Sequence, residues 1–337
     1  MRKIDLATAP DGYRRIRLNN RFLFQVGFLD QGYWPDGIYT APTDAALRFD
    51  IESVKQVGCN LIRKHAKIEP QRWYYWCDRL GVLVWQDMVS GKSSAGGRRH
   101  YERELDRMVG QHDNHPSIVM WVPFNEGWGQ FDTPRIFEAI KNRDPTRLVN
   151  ASSGGRSEDA CGHVEDIHNY PGPAAPAVVP RDSSRAGVLG EFGGLGLFVE
   201  GHTWPKRGPL RGFSAYAERR TDPPRLENTG FGKGWVIPLN LTEQQKRYDW
   251  LKWDGATFVR QYKGLFAFVA RLRREKGLDA AVYTQLTDVE NELNGILTYD
   301  RVFKVKPREL AEIHTECGIR TNGEGAFPLF DKVLKDK

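Results

Sequence analysis

Eight short strand-like runs, several of them apolar and separated mostly by segments with the spacing of amphipathic helices, do the most to narrow what this chain can become. They are Phe22–Leu29, Cys59–His65, Val82–Asp87, the run from Ile118, Leu148–Ala151, Asp166–Tyr170, Gly187–Gly194 and Ala280–Leu286. The run from Ile118, apolar with no in–out alternation, reads as a strand buried on both faces, as in parallel sheets. Between the runs, one helix is expected from Thr43 or Asp44, with Leu47, Ile51 and Val54 at core spacing and Gly58 as its stop. Others are expected over Pro70–Leu80, around Tyr101–Val109, over Thr133–Asn142, and from Thr242 towards Lys276. Eight strands separated mostly by helices predict an α/β chain, a (β/α)8 TIM barrel whose strand C-termini open onto one mouth.

Residues 1–21 read as a β lead-in, with Asp11-Gly12 turning a hairpin between Ile4-Asp-Leu6 and Arg15–Leu18. Residues 22–337 read as the barrel. After its seventh strand, 198–241 is a long insertion rich in Gly, Pro, Arg and Trp, expected to act as a lid or binding loop. Residues 156–182 carry little helical signal. The net charge of +6 is spread along the chain, and its densest cluster, Arg271-Leu-Arg-Arg-Glu-Lys276, ends a helix, where cations complement the dipole. No nucleic-acid partner is expected from that pattern.

No apolar run approaches the ~20 residues of a membrane span, and the start, Met1-Arg-Lys-Ile-Asp-Leu6, lacks a signal-peptide core. The expected location is therefore cytoplasmic for the chain as given, with export of a longer parent left open, as is a homo-oligomer. Cys59, Cys77, Cys161 and Cys317 form no Cys-x-x-Cys pair and read as buried thiols. The run Cys161-Gly-His163-Val-Glu165-Asp-Ile-His168 has ligand residue types in no clear geometry, so neither metal nor cofactor is expected.

The fourth apolar run, Ile118-Val-Met-Trp-Val-Pro-Phe-Asn-Glu-Gly-Trp128, ends in Asn125 and Glu126. A carboxylate there either caps the next helix or serves chemistry at the barrel mouth. The seventh run, Gly187-Val-Leu-Gly-Glu-Phe-Gly-Gly194, sets a second carboxylate, Glu191, among glycines that allow close approach. Two strand-end acids sharing a mouth fit hydrolysis of a glycosidic bond. That reaction needs one protonated carboxyl group and one ionised.

The ordered segments Gly58-Cys-Asn-Leu-Ile-Arg63, Trp76-Cys-Asp-Arg-Leu-Gly-Val-Leu-Val-Trp85, His115–Glu126, Gly190-Glu-Phe-Gly193 and Thr298-Tyr-Asp-Arg301 resemble glycoside hydrolase family 2, the β-galactosidase and β-glucuronidase family, in its catalytic barrel domain. The resemblance implies Glu126 as general acid/base, Glu191 as nucleophile of a retaining mechanism, and Asn125 on the sugar 2-hydroxyl. It implies Arg63 holding the nucleophile ionised and Tyr170 hydrogen-bonded to it. Glu126 would then need an apolar or anionic setting to keep its proton. Full family members carry a β-sandwich and an immunoglobulin-like domain ahead of the barrel, and the lead-in resembles the last strand of that region.

Substrate features depart from the family patterns. The glucuronidase Asn-x-Lys pair is replaced by Glu292-Leu-Asn294-Gly295, disfavouring anionic sugars, while Thr284 and Gln285 stand where a Trp ends strand eight in β-galactosidases. Trp128 is a candidate sugar platform, and His168 shares a strand side with Tyr170 and opposes Asn169. Asp87, Gln285 and Glu292, with Asp30 and Trp34 in the first loop, are candidate sugar contacts. Asp87 equally suits satisfying backbone groups, and Glu292 a plain solvated loop. The expectation is a retaining exo-β-glycosidase for terminal neutral sugars, nominally a β-galactosidase acting on a carbohydrate substrate. The alternatives are an endo-β-glycanase and a catalytically silent carbohydrate-binding barrel.

Overall fold

Eight parallel strands run in the order that their sequence positions demand. In the computed structural model, which describes residues 2–91, 94–155, 161–177, 183–203, 234–236 and 253–319, they are β4 (Gln25–Asp30), β5 (Leu61–Lys64), β6 (Leu83–Asp87), β7 (Ile118–Val122), β8 (Leu148–Val149), β9 (Val164–Asn169), β11 (Ala186–Gly193) and β13 (Leu278–Thr284). Hydrogen-bonded neighbours follow β8-β7-β6-β5-β4-β13-β11-β9, so the first strand lies beside the eighth and the sheet curls into a TIM barrel. The seam between β8 and β9 is closed by His163, whose backbone N–H donates to Val149 O at 2.9 Å while its Nδ1 accepts from Val149 N–H at 3.0 Å.

Helices α1 (Asp44–Gln56), α2 (Gln71–Leu80), α3 (Ala95–His112), α4 (Thr133–Arg143), α5 (Gly255–Lys276) and α6 (Pro307–Glu316) accompany the strands. Thr43 caps α1 by accepting from Ala46 N–H, as its residue type and position predict. The described part of the long late helix begins at Gly255, capped by Asp254. The Thr242 start and most of the 198–241 insertion lie outside the described residues, although β12 (Gly234–Val236) pairs antiparallel with β10 (Ala174–Pro176).

Alternating side chains divide the interior into two layers. Leu61, Leu83, Trp85, Val119, Val188 and Val282 fill the barrel, while Ile62, Val84, Trp121, Leu189 and Tyr283 pack outward under the helices. The lead-in forms a small antiparallel sheet of β1 (Ile4–Thr8), β2 (Arg14–Leu18) and β3 (Arg21–Phe22). Its Ile16 and Leu18 join the inner layer, and both Arg15 and the Ile16 N–H bond to Asp279, next to the start of β13. One expectation is corrected here. The Phe22–Leu29 run does not form a single strand, because Phe22 pairs back onto Arg17 and the barrel strand starts only at Gln25.

Candidate active site

The mouth at the strands' C-terminal ends is organised around Arg63, wholly buried at the end of β5. Its Nε and Nη2 donate to both oxygens of Asp87 at 3.1 and 2.9 Å. Nη2 also donates to Asn125 Oδ1 at 2.7 Å, and Nη1 to Glu191 Oε1 at 3.1 Å and Gly190 O at 3.2 Å. One guanidinium thereby fixes side chains from β6, β11 and the loop after β7, an arrangement for which its planar fork of donors is suited.

Glu191 lies on β11 with its other oxygen, Oε2, accepting from Tyr170 Oη at 2.6 Å. Burial pushes its carboxyl pKa up, but neighbouring His168 and Arg63 outweigh that and hold it below the usual glutamate range. It is therefore ionised at neutral pH. Tyr170 also shares a 2.6 Å hydrogen bond with Thr284 Oγ1, tying the end of β13 into the same network.

Glu126 sits differently. The chain turns sharply after β7, with positive φ at Glu126, Gly127 and Gly129. The Glu126 N–H donates to Ser153 O at 2.8 Å, and the Trp128 N–H to Asn125 O at 2.8 Å. The turn holds the Glu126 side chain at the opening, 36% exposed against 8% for that of Glu191. Glu126 Oε1 lies 3.0 Å from His168 Nδ1. Ligand atoms of Glu126, His168 and Glu191 all lie within 4.8 Å of one another. Their types and spacing would allow a shared metal ion, but Arg63 Nη1, 3.1 Å from Glu191 and 3.2 Å from His168, places a fixed positive charge against a second cation.

The other sequence candidates divide. Gln285 and Glu292 meet at the ends of β4 and β13, where Gln31 Nε2 donates to Gln285 Oε1 at 3.0 Å and Gln285 Nε2 donates to Asn294 Oδ1 at 2.7 Å and Glu292 Oε2 at 3.3 Å. Trp128 is 59% exposed beside Glu126. Three candidates do not present themselves to a ligand. Asp30 is sealed against Lys64 Nζ at 2.5 Å, Trp34 lies beneath the Arg301 guanidinium at 3.5 Å, and Asp87 spends both oxygens on Arg63. Burial leaves those carboxylates matched to internal cations, so they act as supports.

Sequence reasoning missed Ser153, Asp166 and Gln31. Asp166 Oδ2 accepts from Ser153 Oγ and Asn150 Nδ2, both at 2.6 Å, beneath His168. An Asn or Gln in a loop carries no periodic signal that would have marked it.

The fold and the mouth together make a TIM barrel with paired carboxylates at its strand ends, the arrangement that hydrolysis of a glycosidic bond calls for. Comparison with known proteins is consistent with that. Residues 40–170 match the family model "Glycosyl hydrolases family 2, TIM barrel domain", a span that contains Arg63, Asn125, Glu126, His168 and Tyr170. A β-galactosidase of Enterobacter cloacae is 28% identical over 282 residues, covering 76% of this chain and 26% of that protein. Among solved structures, a family 2 β-galacturonidase from Eisenbergiella tayi bound to galacturonate superposes with a TM-score of 0.64 at 18% identity, over 95% of this chain and 55% of that one. A β-glucuronidase of Parabacteroides merdae gives 0.62 at 17% identity, over 90% and 39%. Over residues 40–170 the chain is similar to the catalytic barrel domain of glycoside hydrolase family 2, and its relatives carry the names of that family's enzymes. It spans about a quarter of the length of the curated β-galactosidases it matches. Among the described residues no helix is long and apolar enough to cross a membrane.

Proposed function

We propose that the barrel is a retaining exo-β-glycosidase for terminal neutral β-glycosides, with β-galactosidase as its nominal activity. The observation that carries this reading is the approach of Glu126 and Glu191, whose nearest ligand atoms lie within 4.8 Å. That distance supports the short separation of retaining enzymes, ~5–5.5 Å, over the ~6.5–9.5 Å that leaves room for an inverting water.

In the first step an oxygen of Glu191 bonds to the anomeric carbon as the glycosidic C–O bond breaks, and Glu126 gives its proton to the departing oxygen. In the second, Glu126 takes a proton from water, whose oxygen displaces Glu191. Arg63 and Tyr170, each bonded to one Glu191 oxygen, hold the carboxylate ionised and aimed before attack. Asn125, fixed by Arg63 through its Oδ1, keeps its Nδ2 for the sugar 2-hydroxyl.

Relatives named as glucuronidases and galacturonidases raise the question of anionic sugars. Here the corner holding Gln31, Gln285 and Asn294 also carries the Glu292 carboxylate, which supports neutral sugars by repulsion of a uronate. A panel of aryl β-glycosides, run beside internal cleavage of polysaccharides, separates exo from endo action. Glu191→Gly is expected to abolish hydrolysis, and added azide to restore part of it with an inverted glycosyl azide as product. Unchanged turnover in that variant would refute the nucleophile assignment. Sugar binding without turnover in the unaltered chain would instead favour the silent barrel.

A further inference from the structure

His168 occupies a position that the two-carboxylate reading does not use. Its ring fills the space left by Gly154, where a Cβ would collide with the imidazole, and its side chain is nearly buried. Around it stand Arg63 from β5, Glu126 from the turn after β7, Ser153 from the loop after β8, and Asp166 and Tyr170 on and just past β9. Glu191 faces it from β11, with Asp87 and His65 behind Arg63.

The hydrogens of this cluster can be counted. Asp166 accepts from the Gly190 N–H at 2.6 Å, from Asn150 Nδ2 and from Ser153 Oγ, three donors that suit a carboxylate. Ser153 has one hydroxyl proton, and giving it to Asp166 leaves its oxygen as an acceptor 2.9 Å from His168 Nε2. Arg63 Nη1 has two protons, which fit Glu191 Oε1 and Gly190 O. His168 Nε2 is therefore the donor to Ser153. The 3.0 Å contact from Nδ1 to Glu126 Oε1 is left to hold a single proton, either as carboxylic acid against neutral imidazole or as carboxylate against imidazolium.

We propose that His168 is a positioning residue that shares the acid/base proton of Glu126 across the Nδ1–Oε1 bond, storing it in the empty site and returning it when a glycoside covers the mouth. The inference rests on the hydrolytic reading of the same site. The transfer moves one proton from Nδ1 to Oε1 with no change in net charge. An exposed carboxylate facing an imidazolium is well solvated in water. A sugar that displaces that water disfavours the charged pair and favours the neutral one. Glu126, free to turn about its soft terminal torsion, then presents the proton to the glycosidic oxygen. Glu191, close to both partners, and Asp166 raise the proton affinity of the imidazole against the opposing effects of burial and Arg63.

Two readouts test this, the first independent of turnover. In the full-length chain labelled with ¹⁵N-histidine, with the His168 signals assigned by their loss in His168→Asn, Nε2 is expected to stay protonated while Nδ1 titrates. Glu126→Gln is expected to lower that titration by ~1 pH unit or more. A permanently protonated Nδ1 with the lone pair on Nε2, or a titration indifferent to Glu126→Gln, would overturn the proposal. The second readout is kinetic. His168→Asn keeps a polar neighbour for Glu126 that cannot take up a proton. Its loss is expected to be ~10–100-fold greater on alkyl glycosides, which need protonation to leave, than on dinitrophenyl glycosides, which do not. The alkaline limb of its kcat/KM profile is expected to move to lower pH. Equal losses on both substrates with an unmoved limb would mark a purely structural histidine. A chain that hydrolyses no glycoside would sink the hydrolytic reading while the NMR result still decides the shared proton.

Discussion

Arg63 and Lys64 are consecutive residues of β5 and face opposite ways. Each is a buried cation set between two carboxylates, Asp87 and Glu191 for Arg63, Asp30 and Glu69 for Lys64. Around Lys64 every charge is answered internally: the ammonium bonds Asp30 at 2.5 Å and Glu69 at 2.9 Å, Glu69 also meets Lys67 at 3.0 Å, and Trp73 lies against the cation. Burial alone would raise the Asp30 pKa, yet the Lys64 ammonium holds it below the usual range. Around Arg63 the network is built from the same ingredients but ends at the opening, in Glu191, Asn125, His168 and Glu126. A buried charge cluster becomes a candidate site when one of its members is left facing a space that a ligand can enter, and charge by itself does not distinguish the two.

That contrast can be broken by substitution. Arg63→Lys keeps the charge but loses the fork, and is expected to lower kcat/KM on an aryl glycoside by ~10²–10³-fold, with thermal stability reduced less than in the Lys64 variant described next. Lys64→Met leaves Asp30 and Glu69 buried without their shared cation. It is expected to cost ~3–5 kcal/mol in denaturant unfolding, while kcat of the folded fraction stays within ~3-fold. Matching losses of activity in both variants would erase the distinction between the two faces. Trp128→Ala, at the rim of the Arg63 side, is expected to raise KM by ~3–10-fold and to leave unfolding unchanged, since the indole is mostly exposed.

The smallest effect is on acid stability. Glu191 has a folded pKa below its unfolded value of ~4.3, so its contribution is complete above that pH and is lost as pH falls through the folded value. Unfolding curves recorded downward from about pH 5 should therefore lose stability less steeply in Glu191→Gln than in the unaltered chain. Parallel curves would detach Glu191 from the Arg63 network.

The barrel was legible because parallel strands buried on both faces leave continuous apolar runs, and because Asn125-Glu126 and Glu191 stand where such runs stop. Alternation along β9 also put His168 and Tyr170 on one side, and both do reach Glu191. What stayed hidden was partnership across the chain. Asp30 looked like a sugar ligand until Lys64, 34 residues on, closed over it, and Trp34 until Arg301 covered its ring. The meeting of His168 with Glu126 depends on a left-handed turn at a non-glycine residue, which no periodicity announces. The Phe22–Leu29 run was read as one strand because its composition is uniform, whereas the pairing of Phe22 with Arg17 divides it between two sheets.

In the proposed mechanism Glu191 forms a covalent bond to the sugar while Glu126 moves the proton. Incubation of the chain with an activated 2-deoxy-2-fluoro-β-glycoside, which slows the second displacement more than the first, followed by peptide mass spectrometry, tests it most directly. One glycosyl group is expected on the peptide carrying Glu191, released again when an acceptor alcohol is added. A label on Glu126 would contradict it, as would turnover of an ordinary glycoside that first yields the sugar with inverted configuration.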